Sequence, residues 1–198
     1  MEALIIVDIQ NDFLPGGALE VKDGDKVIPY INEIQSNYDL VVATQDWHPA
    51  DHKSFASNHP NRKPGEIIDL NGLQQILWPI HCVQNSIGAQ FAEGLIQDKI
   101  RKVFVKGTDP EIDSYSGLFD NGHRKATGLA EYLKIKNVHK VVVVGLAADY
   151  CVKFTALDAA QYGFEVEVHK AGTMAVNLQE GDFEKAMTEM ETAGIIVL

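Results

Sequence analysis

The stretch Asn137–Thr155, NVHKVVVVGLAADYCVKFT, decides the fold. Four consecutive valines, Val141 to Val144, form a short β-branched run that stops at Gly145, the pattern of a parallel-sheet strand buried on both faces. A helix is expected almost at once, with Asp149 as its N-cap and Cys151 inside its first turn. A thiol there feels the positive end of the helix dipole, which favours thiolate, and the free N–H groups around it can receive an oxyanion. Cys151 is therefore a candidate nucleophile, although a lone cysteine at such a junction is more often a small buried hydrophobe.

Working outward, the same alternation of apolar strand and amphipathic helix recurs. Ala3–Val7 and Leu40–Ala43 read as strands around a helix at 25–36, and Thr44, Gln45 and Asp46 end the second of them. A helix is expected near Phe91–Ile100, then a strand at Val103–Val105, a helix at 127–134 and the valine strand. Helices at 150–162 and 180–193 alternate with strands at 165–168 and 195–198. Six strands separated by helices predict an α/β fold, a doubly wound six-stranded parallel sheet with helices on both faces. The expected organisation is a single domain, 1–198. It is interrupted by one long loop at about 45–85, rich in proline and glycine, which its length marks as functional.

The composition restricts the partners. A chain of 198 residues with 45% hydrophobic content can bury one good core. A formal net charge of -11 argues against nucleic acid and anionic membrane surfaces and for a small neutral or cationic ligand. No apolar run approaches a membrane span and no basic leader is evident, so a cytoplasmic location is expected. There both cysteines, Cys82 and Cys151, should stay free thiols.

In open parallel sheets the ligand crevice lies beyond the carboxyl ends of the strands. Asp8, Asp46, Lys106 and the Cys151 turn all fall at such ends, although each alone could be a cap or a solvated charge. Asp8, Lys106 and Cys151 supply the parts of an acyl-transfer site: a carboxylate to move the thiol proton, a cation to favour both anions, and a nucleophile. The N–H groups of Ala147 and Cys151 are the candidate oxyanion donors. Asp46 and His48, two apart on an extended segment, face the same way, and His81 can complete an Asp/His/His set for one divalent ion. Zn is the first choice for such donors, with Fe or Mn as alternatives. His52 and His59 are further candidates, although loop histidines are commonly just solvated.

These residues lie in blocks with a specific look. IIVDIQNDFLPGGAL (5–19), TQDWHPADHKSF (44–55), ILWPIHCVQNS (76–86), VFVKGT (103–108), SYSGLFDN (114–121) and VVVVGLAADYCV (141–152) together resemble the nicotinamidase (pyrazinamidase) family of the isochorismatase-like cysteine hydrolases, nearly end to end. The resemblance implies an amidase that hydrolyses nicotinamide, and pyrazinamide as well, to the acid and ammonia through a thioester in NAD salvage. Another small amide is the alternative substrate. It implies Asp8, Lys106 and Cys151 as catalytic residues, Ala147 as an oxyanion donor and Asp46, His48 and His81 as metal ligands. Phe13, Trp78 and Tyr115 become the ring-binding cage, with Tyr150 more readily read as packing. It also implies a cis Leu146–Ala147 peptide and the strand order 3-2-1-4-5-6. On that order Lys106 lies two strands from Asp8, roughly 10 Å by sheet spacing, which its side chain must bridge. A homo-oligomer is left open.

Overall fold

The structure is a computed structural model describing residues 1–198. In chain order it comprises β1 (Glu2–Val7), α1 (Val27–Ile34), β2 (Leu40–Asp46), β3 (Ile67–Leu70), β4 (Leu73–Ile76), β5 (Ile100–Lys106) and α2 (Leu129–Ile135). Then come β6 (Lys140–Leu146), α3 (Lys153–Gln161), β7 (Glu165–Met174), α4 (Asp182–Thr192) and β8 (Ile196–Val197). Six strands form one parallel sheet in the order β5-β2-β1-β6-β7-β8. Counted over sheet strands alone this is 3-2-1-4-5-6, so the reversal of strand order falls between β1 and β6.

The central strands are apolar because both faces are covered. Ala3, Ile5, Val141 and Val143 pack with α2 and α3, while Leu4, Ile6, Val142 and Val144 pack with α1. Period-2 alternation thus feeds two cores from one unbroken run of apolar residues, which is why the valine stretch shows no polar face. Gly145 ends the valine run one residue before the end of β6. Its φ of +121° lies outside the range side chains favour, and a Cβ there would sit 2.0 Å from the Val7 carbonyl oxygen. Gly145→Ala should therefore cost more than about 4 kcal/mol, read from urea unfolding; an unchanged midpoint would contradict the close approach of β1 and β6.

Four expectations need correction. Residues 91–99 contain no helix. Asn32 of α1 and Gln35 just after it take up the backbone groups of this segment: Asn32 Nδ2 donates to Gly94 O, Ile96 N–H donates to Asn32 Oδ1, and Gln35 Nε2 donates to Ile96 O. With its polar groups satisfied from outside, and Gly94 in its middle, the segment gains little from coiling. Strand β2 continues through Thr44, Gln45 and Asp46 rather than ending before them. The region 45–85 is not structureless, since β3 and β4 make an antiparallel hairpin inside it. Finally, Asp149 does not cap the helix. Its carboxylate accepts from the N–H groups of Val176 and Asn177, at 3.0 and 2.9 Å, tying the chain after β7 to the Cys151 turn.

Candidate active site

The Cys151 turn is a π-helical one, Ala148–Val152, entered through a cis Leu146–Ala147 peptide and continuing into α3. The Ala147 carbonyl accepts from the N–H groups of Tyr150 and Val152, whereas the Ala147 N–H makes no hydrogen bond within the protein. A free donor therefore belongs to a residue that lines the same cavity as Cys151, the kind of group an oxyanion would require.

Lys106, the last residue of β5, is fully buried and bridges the gap of two strands. Its ammonium lies 2.9 Å from Asp8 Oδ2 and pairs with Asp46 Oδ1, which is its in-register neighbour on β2. It also donates to the Ser114 carbonyl at 2.9 Å and to Cys151 Sγ at 3.4 Å. Acidic oxygens of Asp8 and Asp46 and the Cys151 sulfur lie within 4.8 Å of one another. Asp8 Oδ1 accepts from Thr44 Oγ1 at 2.6 Å, while Oδ2, though close to the ammonium, has no aligned donor. The three groups that chain order separates by more than 140 residues thus share one buried volume.

Charge in this volume is decided by competition between desolvation and pairing. Burial alone would strip Lys106 of its proton, but the Asp46 and Asp8 carboxylates outweigh it and hold the ammonium well above the ordinary lysine value. Burial also opposes ionisation of Asp46, yet Lys106 and His48 keep that carboxyl well below its usual range. Asp8 goes the other way: burial prevails over the Lys106 ammonium and raises it. Burial likewise pushes the Cys151 thiol well up despite Lys106. The dipole argument from sequence is therefore overridden, and the resting sulfur is a thiol beside a carboxylate that has become a better base.

Next to this trio, His48 Nε2 and His81 Nε2 lie 3.4 and 3.7 Å from Asp46 Oδ2. The other ring nitrogens face carbonyls, His48 Nδ1 on Gly107 O at 2.9 Å and His81 Nδ1 on Pro79 O at 2.7 Å. A carbonyl only accepts, so each Nδ1 carries a proton, and both Nε2 atoms face the same carboxylate oxygen, where a bound cation would take their lone pairs. Gln10 fixes that carboxylate's backbone by donating to Asp46 O and accepting from Asp46 N–H, both at 2.8 Å. Two imidazole lone pairs and one carboxylate oxygen converging in a buried corner fit a divalent ion of the Zn, Fe or Mn kind. His52 is different. Its Nδ1 accepts from the Ser54 N–H, so the neutral ring holds its proton on Nε2, which finds no partner. Burial and the neighbouring His48 lower its pKa to about 4. His59 Nε2 meets the Lys53 carbonyl and lies outside the cluster.

A cavity of about 30 Å³ joins the two groups. Phe13, Trp78 and Tyr115 line it together with Asp46, His81, Ala147 and Cys151. Tyr150 packs against the core, as its sequence reading has it, and also lines the cavity, edge-on to Trp78 and Tyr115 at ring separations of 5.0 and 5.4 Å. Leu19, Asp113 and Val176 also line it and were not singled out from sequence. Asp113 could have been suspected, since it precedes Ser114 and Tyr115 in a loop already assigned to the site; nothing local marks Leu19 or Val176.

The parallel sheet, the nucleophile turn at its switch point and the adjoining donor set define a cysteine hydrolase of isochorismatase type. The isochorismatase domain is matched over residues 2–198, and the chain belongs to that family. It is 49% identical to the nicotinamidase of Escherichia coli (strain K12), across 97% of this chain and 92% of that one. A solved nicotinamidase/pyrazinamidase of Acinetobacter baumannii superposes with a TM-score of 0.96 at 42% identity, covering 100% of this chain and 95% of the other. The pyrazinamidase of Pyrococcus horikoshii in complex with zinc gives 0.80 at 39% identity, covering 100% and 98%.

Proposed function

We propose that the chain is an amidase that hydrolyses nicotinamide, and the related pyrazinamide, to the carboxylic acid and ammonia. The observation that carries the reading is the buried contact of Lys106 with Asp8, Asp46 and Cys151 at the floor of an aromatic-walled cavity. Phe13, Trp78 and Tyr115 hold the flat ring, and that orientation brings the carboxamide carbon over the sulfur. Asp8 takes the thiol proton as sulfur bonds to the carbonyl carbon, and the oxyanion is received by the N–H groups of Ala147 and Cys151. Asp8 returns the proton to the departing nitrogen, the C–N bond breaks, and ammonia leaves a thioester on Cys151. A water, deprotonated by Asp8, then displaces the thiol and releases the acid. Lys106 stays a cation throughout and offsets the anions that form around it.

Asp46, His48 and His81 would hold the divalent ion, zinc first and Fe or Mn next, which when bound supplies a Lewis-acid anchor for the ring nitrogen. The whole chain then acts as one domain whose 45–85 segment contributes all three ligands and the Trp78 wall. The product acid suits pyridine-nucleotide salvage in the cytoplasm. No helix is long and apolar enough to cross a membrane. Ammonia release from nicotinamide, pyrazinamide and aliphatic amides tests the substrate class, and an aliphatic preference would overturn it. Chelation should reduce turnover of nicotinamide by about 10-fold or more, restored on adding the metal back; metal-free protein with full activity would contradict the assigned donor set.

A further inference from the structure

The β3–β4 hairpin lies outside the sheet, and of its strand residues only Leu70 and the polar Gln75 are buried, Gln75 being 2% exposed. A primary amide is costly to bury without partners, so its surroundings state what it is for. Gln75 Nε2 donates to Asp113 Oδ2 at 2.9 Å and to the Ile76 carbonyl at 2.7 Å, and lies 3.4 Å from the Tyr115 hydroxyl. The Trp78 indole N–H reaches the same hydroxyl at 3.2 Å. Asp113 has one other donor, the Ser114 N–H on Oδ1 at 2.8 Å. Asp113, Tyr115 and Trp78 are wall residues of the cavity, whereas Gln75 stands behind them and does not line it.

We infer that Gln75 is a positioning residue for ring binding: from the hairpin, its amide sets the Asp113 carboxylate and the Tyr115 hydroxyl, and through Tyr115 the Trp78 ring, so that the wall is shaped before substrate arrives. Without the amide, Asp113 keeps a single hydrogen-bond donor while buried, and its carboxylate, which lies within 4.8 Å of the His48 and His52 rings, is no longer fixed. Tyr115 loses its inner neighbour at the same time. The nucleophile, Asp8 and Lys106 hold no contact with Gln75, so the chemical step is untouched. The inference rests on the amidase reading above and extends it to a residue behind the wall.

The test is steady-state ammonia release from nicotinamide by the metal-loaded full chain, comparing wild type with Gln75→Leu, Gln75→Glu and Gln74→Leu. Gln75→Glu keeps the shape but presents an acceptor to Asp113, and it carries the test if Gln75→Leu does not fold. Gln74 is exposed on the opposite face of the same strand, so its variant reports any general loosening of the hairpin. KM should rise about tenfold in the folded Gln75 variants, the usual loss when a residue behind a site is removed. Their kcat should stay within about twofold of wild type, the signature of lost ground-state positioning, and Gln74→Leu should match wild type. An unchanged KM in a folded Gln75 variant, or an equal rise in Gln74→Leu, would overturn the role. Wild type inactive on nicotinamide would instead overturn the amidase reading, and this role with it.

Discussion

Cys151→Ala should lower ammonia release from nicotinamide by at least about 10⁴-fold, the scale seen when a nucleophile acting in concert with its base is removed. The loss should fall on kcat, because the side chain is small, lies at the floor of the cavity and is no part of its aromatic wall. Stability should change by no more than about 1–2 kcal/mol, since only a sulfur is deleted from a residue that is 7% exposed. The ammonium that faced the sulfur keeps its two carboxylates and the Ser114 carbonyl. Nicotinamide binding, measured calorimetrically on the metal-loaded variant, should therefore persist. Single-turnover mass spectrometry of wild type should show an acyl adduct on the Cys151 peptide that the variant lacks. Residual turnover above a hundredth of wild type would mean that water attacks directly and that no thioester is needed.

The chain's own letters carried the sheet further than the site's electrostatics. The valine run and its companions at Ala3–Val7 and Leu40–Ala43 announce a parallel sheet because burial on both faces leaves only apolar residues, a signal that is local. Where the structure departs, the deciding partner is remote in sequence. The segment 91–99 loses its helix to Asn32 and Gln35, some sixty residues earlier, and Asp149 is drawn from capping to the N–H groups of Val176 and Asn177. The strand ends placed Asp8, Asp46, Lys106 and Cys151 near one another, since the fold class dictates where strands point. Their ionisation could not be read in that way. It depends on whether desolvation or pairing prevails at each group: pairing overcomes burial at Asp46, whereas burial prevails at Asp8 and at the thiol.

That balance makes Lys106→Met the second large effect, on stability as well as on turnover. Methionine matches the length and apolar stem of lysine, so packing is kept while the charge is lost. Asp8 and Asp46, at 0% and 4% exposure, would then face each other in a buried volume without the ammonium between them. Leaving a buried charge without its partner typically costs about 3–5 kcal/mol. At about 2–4 °C per kcal/mol for a protein of this size, the metal-free variant should melt roughly 6–20 °C below wild type. Activity should vanish with it, because nothing then favours the thiolate or the oxyanion. The sign of a second substitution separates this account from simple damage to packing. Asp8→Asn alone should destabilise, since Lys106 loses a counter-ion, whereas in the Lys106→Met background it should stabilise by removing one of two uncompensated carboxylates. Thermal melts of the four proteins complete the cycle. If Asp8→Asn lowers the melting temperature equally in both backgrounds, the ammonium and the carboxylate are not coupled and the arrangement of charges described for this site is wrong.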